Sequence, residues 1–180
     1  MGTVFLRRLS RWQAETEREA IGDTYVEGHR DAPGTRALER EAFVRRFVDE
    51  DLRQQDFDMM VASDPAPAGF AYGFRADRDG SWWETFTGVP NEIDELTGAR
   101  QVFVVAQLLV APRRRRQGVA TRLHKELLGR SGAALFLALL QPGNAPARTA
   151  FQTWGWSKAG QLTPRDGAEA PLEAWARTKS

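Results

Sequence analysis

The chain has 180 residues, 42% of them hydrophobic and 27% charged, which is the composition of a soluble globular protein long enough for one domain with a real core. A formal net charge of +1 argues against a nucleic-acid footprint, and the lack of cysteine excludes disulfide staples, thiolate metal sites and a cysteine nucleophile. His29 and His124 have no metal-ligand spacing, no apolar run reaches membrane-spanning length, and no signal-peptide core opens the chain, so no metal, no membrane partner and, by default, a cytoplasmic location are expected.

In chain order, residues 3–9 read as a short strand, and Ser10 as the cap of a helix over 11–20. Residues 21–33 read as a polar loop, with Gly22, Gly28, Asp31 and Pro33 as breakers. A helix is predicted over 35–54, with Thr35 at its N-cap and Leu38, Phe43, Val44, Phe47, Val48 and Leu52 on one apolar face. Strands follow at 57–62 and 70–74, and the breaker-rich linker 63–69 makes them a hairpin. Tyr72 reads as a half-buried packing residue of that hairpin rather than a catalyst.

Residues 80–100 form a long aromatic and acidic insert, with one helical turn expected at 91–96 after Pro90. Trp82, Trp83 and Phe86 would be costly to leave in water, which argues against disorder. Two uses stay open. It could wall an acceptor site, with Glu84, Glu92, Asp94 or Glu95 drawing in a cationic amine, or it could be a surface flap or a homodimer contact.

Val102–Val110 is apolar without alternation, the pattern of a central strand, and Pro112 ends it. Four arginines, Gln117 and Gly118 follow, and then Val119, Leu123, Leu127 and Leu128 recur at helical spacing up to Gly129. A helix start leaves backbone N–H groups without intrahelical partners and carries partial positive charge. Gly118 removes the Cβ that would hold an anion off, while Arg115, Arg116 and Gln117 add donors, so the turn suits a phosphate or pyrophosphate. A solvated basic surface turn is the plainer reading.

Residues 133–140 are a second buried strand, parallel to the first across the intervening helix. Asn144 caps a further helix, Pro146 fits its first turn, and Gly155 ends it. Two more strands are expected at 156–162 and 172–177, joined by a Pro/Gly/Asp turn.

Two of these stretches resemble the GNAT family of N-acetyltransferases. Arg115-Arg116-Gln117-Gly118-Val119-Ala120 matches its (Gln/Arg)-x-x-Gly-x-(Gly/Ala) loop, after a strand that ends Leu108-Leu109-Val110-Ala111-Pro112 in the manner of Leu-x-Val-x-Pro. The stretch from Asn144 through Ala147 and Phe151 to Gly155-Trp156 is similar to the family's Asn-x-x-Ala-x-x-x-Tyr-x-x-x-Gly-(Phe/Trp) segment. The resemblance implies a single α/β (α+β) domain. Its central sheet would be mixed and largely antiparallel, of roughly six to seven strands, with a parallel pair at its centre and about four helices.

The resemblance also implies transfer of an acetyl or other acyl group from acetyl-CoA, as co-substrate, to an amine acceptor by direct attack. The CoA pyrophosphate would lie on the turn from Arg115 through Arg116, Gln117, Gly118, Val119 and Ala120 to Thr121. The pantetheine arm would add to the strand edge at Leu108, Leu109 and Val110, with a strand amide, assigned to Val110, facing the thioester oxygen. Asn144 and Phe151 would lie near that arm. Two departures stand out: the family's frequent tyrosine acid is Phe151 here, and its common glutamate base falls at Val104. Glu84 is the substitute base suggested by its aromatic neighbours, since burial would raise its pKa; ordered water is the alternative. The missing acid and base would also suit a catalytically silent acyl-CoA-binding sensor or regulatory module.

Overall fold

The computed structural model describes residues 3–30, 37–165 and 170–179, with the backbone alone for Ser81 and Trp82. The chain forms two compact units. Of the described residues, the first takes 3–30, 37–74 and 106–131; the second takes 75–105, 132–165 and 170–179.

In the first unit β1 (Phe5–Leu9) runs antiparallel to β2 (Asp58–Ser63), from Phe5↔Ser63 to Leu9↔Met59. β2 pairs antiparallel with β3 (Pro67–Arg75), and a bulge falls between Ala62 and Ser63. Next to β3 comes β5 (Val102–Val110), whose last five residues, 106–110, belong to this unit. Ala111 N–H donates to Ala68 O at 2.7 Å and holds the strand's exit against β3.

The helices of this unit are α1 (Arg11–Thr16), α2 (Arg18–His29), α3 (Arg40–Asp49) and α6 (Val119–Gly129). Ser10 closes a capping box with Gln13, which starts α1. The core is aromatic: Tyr25 stacks on Phe43 at 3.9 Å, and Phe47, Phe70 and Tyr72 continue it around Leu109.

In the second unit Val102–Val105 of β5 pairs in parallel with β6 (Leu135–Leu140), from Val102↔Leu135 to Val105↔Ala138. β8 (Leu172–Thr178) is antiparallel to β6, β7 (Ser157–Pro164) to β8, and the two-residue β4 (Phe86–Thr87) to β7. The helices here are α4 (Ser81–Glu84), α5 (Asn91–Gly98) and α7 (Ala145–Thr153). Strand order through both units is β1-β2-β3-β5-β6-β8-β7-β4. The mixed, largely antiparallel α/β sheet with its parallel β5–β6 pair stands as expected. Among the described residues the counts run higher, at eight strands and more than four helices, because the insert adds β4, α4 and α5 and the helix expected over 11–20 divides in two.

Several boundaries differ from expectation, with physical reasons. Residues 21–29 are helix, not loop, because Gly22 and Gly28 are packing glycines. A Cβ on Gly22 would meet Val44 Cγ2 at 2.6 Å, and one on Gly28 would meet Leu109 Cδ1 at 2.5 Å. Asp31, Pro33 and Thr35 lie outside the described residues. The helix expected over 35–54 is shorter: α3 spans Arg40–Asp49, and a 3-10 turn at Asp51–Arg53 follows it. The helix expected over 11–20 divides at Glu17 into α1 and the start of α2. The hairpin linker is only Asp64, Pro65 and Ala66, since Pro67 already opens β3. Tyr72 is fully buried, not half-buried.

Gly69 brings β3 close to β5. A Cβ there would sit 2.7 Å from Leu109 O and 3.1 Å from Val110 Cα, both backbone atoms that cannot rotate aside. Gly69→Ala is expected to cost about 1–3 kcal/mol in chemical denaturation. Gly132→Ala, where a Cβ meets nothing within 4 Å, serves as the near-neutral control.

Candidate active site

The site in the first unit is built where β5 ends. Pro112 stops the strand and opens a 3-10 turn, Pro112–Arg114, closed by Arg114 N–H to Ala111 O at 2.9 Å. The chain then turns twice through the left-handed region, at Arg116 (φ 62°) and Gly118 (φ 76°), before α6 begins. Gly118 is the N-cap of α6 and has no side chain to satisfy the first turn. The first intrahelical bond is Arg122 N–H to Gly118 O at 3.0 Å, so the amides of Val119 and Ala120 precede the helical ladder. A Cβ placed on Gly118 would meet nothing within 4 Å: the space above this turn is open.

The four arginines do different things. Arg113 donates to Asp64 at 2.6 Å, Glu27 at 3.3 Å and Pro67 O at 3.2 Å. Arg114 donates to Asp64 and, at 3.1 Å, to Gln117 Oε1, while Gln117 Nε2 returns to Arg113 O at 3.3 Å. Arg115 bridges two carbonyls, Gly28 O at 2.7 Å and Val110 O at 3.3 Å. Arg116 is exposed and makes no hydrogen bond or ion pair among the described residues. So the basic run is neither a bare solvated turn nor four equal anion donors. Three arginines brace the turn, and Arg116 is left uncommitted.

Asp64 anchors the brace. Its side chain is 4% exposed, and the Arg114 and Arg113 guanidiniums hold its carboxyl below the usual carboxylate range. The sequence reading missed Asp64, because nothing local to a breaker turn signals a partner some 50 residues on.

Leu108 is half-buried, whereas Leu109 and Val110 are buried, with the Leu109 side chain in the first unit's core. The parallel ladder that β5 forms with β6 stops at Val105↔Ala138, and β5 continues beyond it to Val110.

The second unit holds the remaining residues named from sequence. Asn144 Oδ1 accepts from Ala147 N–H at 3.2 Å, so its capping role is present. Phe151 is buried with its ring edge-on to Trp154 at 5.3 Å and Trp156 at 4.8 Å. Val104 is buried and apolar. The insert packs through Trp83, Phe86 and Ile93, and Thr85 O accepts from Arg165 N–H at 2.8 Å. Glu84, however, is exposed at the end of α4 and is not sheltered by its aromatic neighbours. A carboxylate that the sequence did not single out, Glu173, is buried instead. Burial acts to raise its pKa, but hydrogen bonds from Trp175 Nε1 (3.1 Å) and Lys158 outweigh this and lower it.

No described helix is long and apolar enough to cross a membrane. Among the described residues no group of three or more His, Asp or Glu is placed to hold a metal ion.

Comparison with known proteins follows the same lines. In overall structure the chain is similar to an acetyltransferase from Thermus thermophilus, at 11% identity and TM-score 0.68, covering 99% of this chain and 100% of that one. It is also similar to an aminoglycoside acetyltransferase solved with coenzyme A and kanamycin, at 20% identity and TM-score 0.65, covering 98% and 95%. A third is the diaminobutyrate acetyltransferase of Paenibacillus lautus, solved with L-2,4-diaminobutyric acid and coenzyme A, at 15% identity and TM-score 0.62, covering 98% and 95%. At these identities the likeness concerns the fold. No curated protein matches the chain by sequence. Residues 12–156 match the Acetyltransferase (GNAT) family, a span that takes in the hairpin, β5, the glycine turn and α7. Strand, braced basic turn and helix N-terminus thus fall in one family's order, and the chain belongs to the GNAT acetyltransferase family.

Proposed function

We propose that the protein transfers an acetyl or other acyl group from acyl-CoA to a primary amine of a small molecule or protein. The observation that carries this reading is the turn at Gly118. It has a positive φ and open space above it, it stands at the start of α6, and uncommitted Arg116 lies beside it. Such a turn fits a diphosphate, because helix-start amides and an uncommitted cation stand beside one open space. The structural neighbours solved with coenzyme A beside kanamycin or diaminobutyrate support an amine as the acceptor.

When bound, acyl-CoA would supply the activated thioester. The chain's own part is to hold the phosphates at 116–120 and to present the backbone of Leu108, Leu109 and Val110 to the arm. The roles of Asn144 and Phe151 toward the same carrier rest on the family resemblance. The absence of cysteine disfavours a thioester acyl-enzyme, and direct attack by the amine is the proposed route. Phe151 cannot donate a proton, but a CoA thiolate is a good enough leaving group to depart with water as the acid or with none.

Calorimetric titration with acetyl-CoA, followed by thiol release against a panel of primary amines, tests the proposal. Saturable binding and amine-dependent thiol release are expected. Binding without release from any amine would favour a silent acyl-CoA sensor, and no binding would overturn the reading.

A further inference from the structure

We propose that Asp64, on the turn between β2 and β3, is a positioning residue for acyl-CoA. Through Arg114 and Gln117 it holds the Gly118 turn in the shape that presents the Val119 and Ala120 amides to the diphosphate. The inference rests on the acyltransferase reading and deepens it, by naming what sets the affinity of that turn for its ligand.

The link can be followed atom by atom within the first unit. Asp64 Oδ2 accepts from Arg114 Nε and, at 2.6 Å, from Arg113 Nη1. Arg114 passes the constraint on, since its Nη1 donates to Gln117 Oε1 at 3.1 Å. Gln117 Nε2 then donates back to Arg113 O at 3.3 Å, so the side-chain amide is held at both ends. Gln117 stands between the two left-handed residues, Arg116 (φ 62°) and Gly118 (φ 76°). A non-glycine residue keeps a positive φ only where its surroundings over-determine it, and the brace supplies that determination at Arg116.

Asp64 is the member on which the others converge. Its side chain is 4% exposed and that of Arg114 14%, so solvent screens this pair little. The guanidiniums hold the carboxyl below its usual range, and it stays ionised at neutral pH. Glu27, at the end of α2, is a lesser anchor. It reaches the more exposed Arg113 at 3.3 Å, and its loss would leave the link from Asp64 through Arg114 to Gln117 in place.

The sign of the effect separates positioning from charge. A carboxylate within this arginine cluster repels a diphosphate, so electrostatics alone would favour a neutral residue at position 64. Asp64 aids binding only through geometry. Without its charge Arg114 loses its counter-ion, Gln117 loses its fixed partner, and the backbone at 116–118 is free to leave the left-handed region. The amides then have to be ordered by the ligand itself, and that ordering is subtracted from affinity.

The test is calorimetric titration of the full chain with acetyl-CoA, carried out well below each variant's Tm so that lost folding is not counted as lost affinity. Asp64→Asn should weaken binding by about tenfold, although it removes a negative charge. Glu27→Gln removes the same charge from the same cluster and should bind as tightly as wild type or more tightly. Gln117→Met keeps the side-chain length but breaks the link, and should weaken binding by a factor similar to Asp64→Asn. The double variant Asp64→Asn/Gln117→Met should be no weaker than the weaker single, because both cut one path. Unchanged or tighter binding by Asp64→Asn, losses that multiply in the double variant, or an equal loss in Glu27→Gln overturns the assignment of Asp64 alone. Should Asp64→Asn not fold, Gln117→Met, on an exposed side chain, carries the test, and wild-type affinity there overturns the proposal. A wild-type protein that binds no acetyl-CoA overturns the acyltransferase reading together with it.

Discussion

Gly118→Val is expected to weaken acetyl-CoA binding by about tenfold or more, equivalent to about 1.4 kcal/mol of binding free energy. Two effects act at once. At φ 76° a β-branched side chain is strained, and relief of that strain turns the following amides away from their present direction. The new methyl groups also occupy the open space through which an anion reaches the start of α6. Strain alone would lower stability by about 1–2 kcal/mol, so thermal melting measured beside calorimetry separates the two. Gly129→Ala is the control. There too a Cβ meets nothing within 4 Å, but the position lies at the far end of α6 and φ is not positive, so affinity should not change.

Tyr72→Phe should destabilise the protein by about 2–3 kcal/mol at neutral pH, because it removes a donor from a buried carboxylate. Tyr72 is wholly buried and Asp51 is 6% exposed, and the phenol donates to Asp51 Oδ2 at 2.5 Å. Burial raises the Asp51 pKa above 3.8, and the Tyr72 hydrogen bond draws it part of the way back, with Arg46 helping and Glu50 opposing. The sign follows from linkage. Above pH 3.8 the native state holds this proton more tightly than the unfolded chain, so stability falls as pH rises through the window up to the native value. Without the hydroxyl, Asp51 would titrate higher still, and the difference between variant and wild type should widen from pH 4 to pH 7 in urea denaturation. A penalty that does not change with pH would mean that Tyr72 acts through packing alone.

What could be read from sequence was short in range. The β5 run, its proline stop, the Gly118 turn and the stripe of α6 each sit within a few residues of one another, and their signals are local sterics and periodicity. The same holds for the Asn144 cap and the Gly155 stop of α7. What could not be read depends on partners distant in sequence. Gly22 and Gly28 looked like breakers because a glycine's meaning depends on what lies against it, here Val44 and Leu109. The run Arg113–Arg116 looked uniform, yet Asp64, Gly28 and Val110 divide its work. Glu84 looked sheltered by tryptophan, but which side of α4 faces inward is decided by what packs on it, and Glu84 faces out.

The most direct measurement is a crystal structure grown with excess CoA. Density for the diphosphate should lie within hydrogen-bonding distance of the Val119 and Ala120 amides, with Arg116 turned toward it. A fully occupied CoA whose diphosphate is held elsewhere, with the Gly118 turn facing only solvent, would contradict the account.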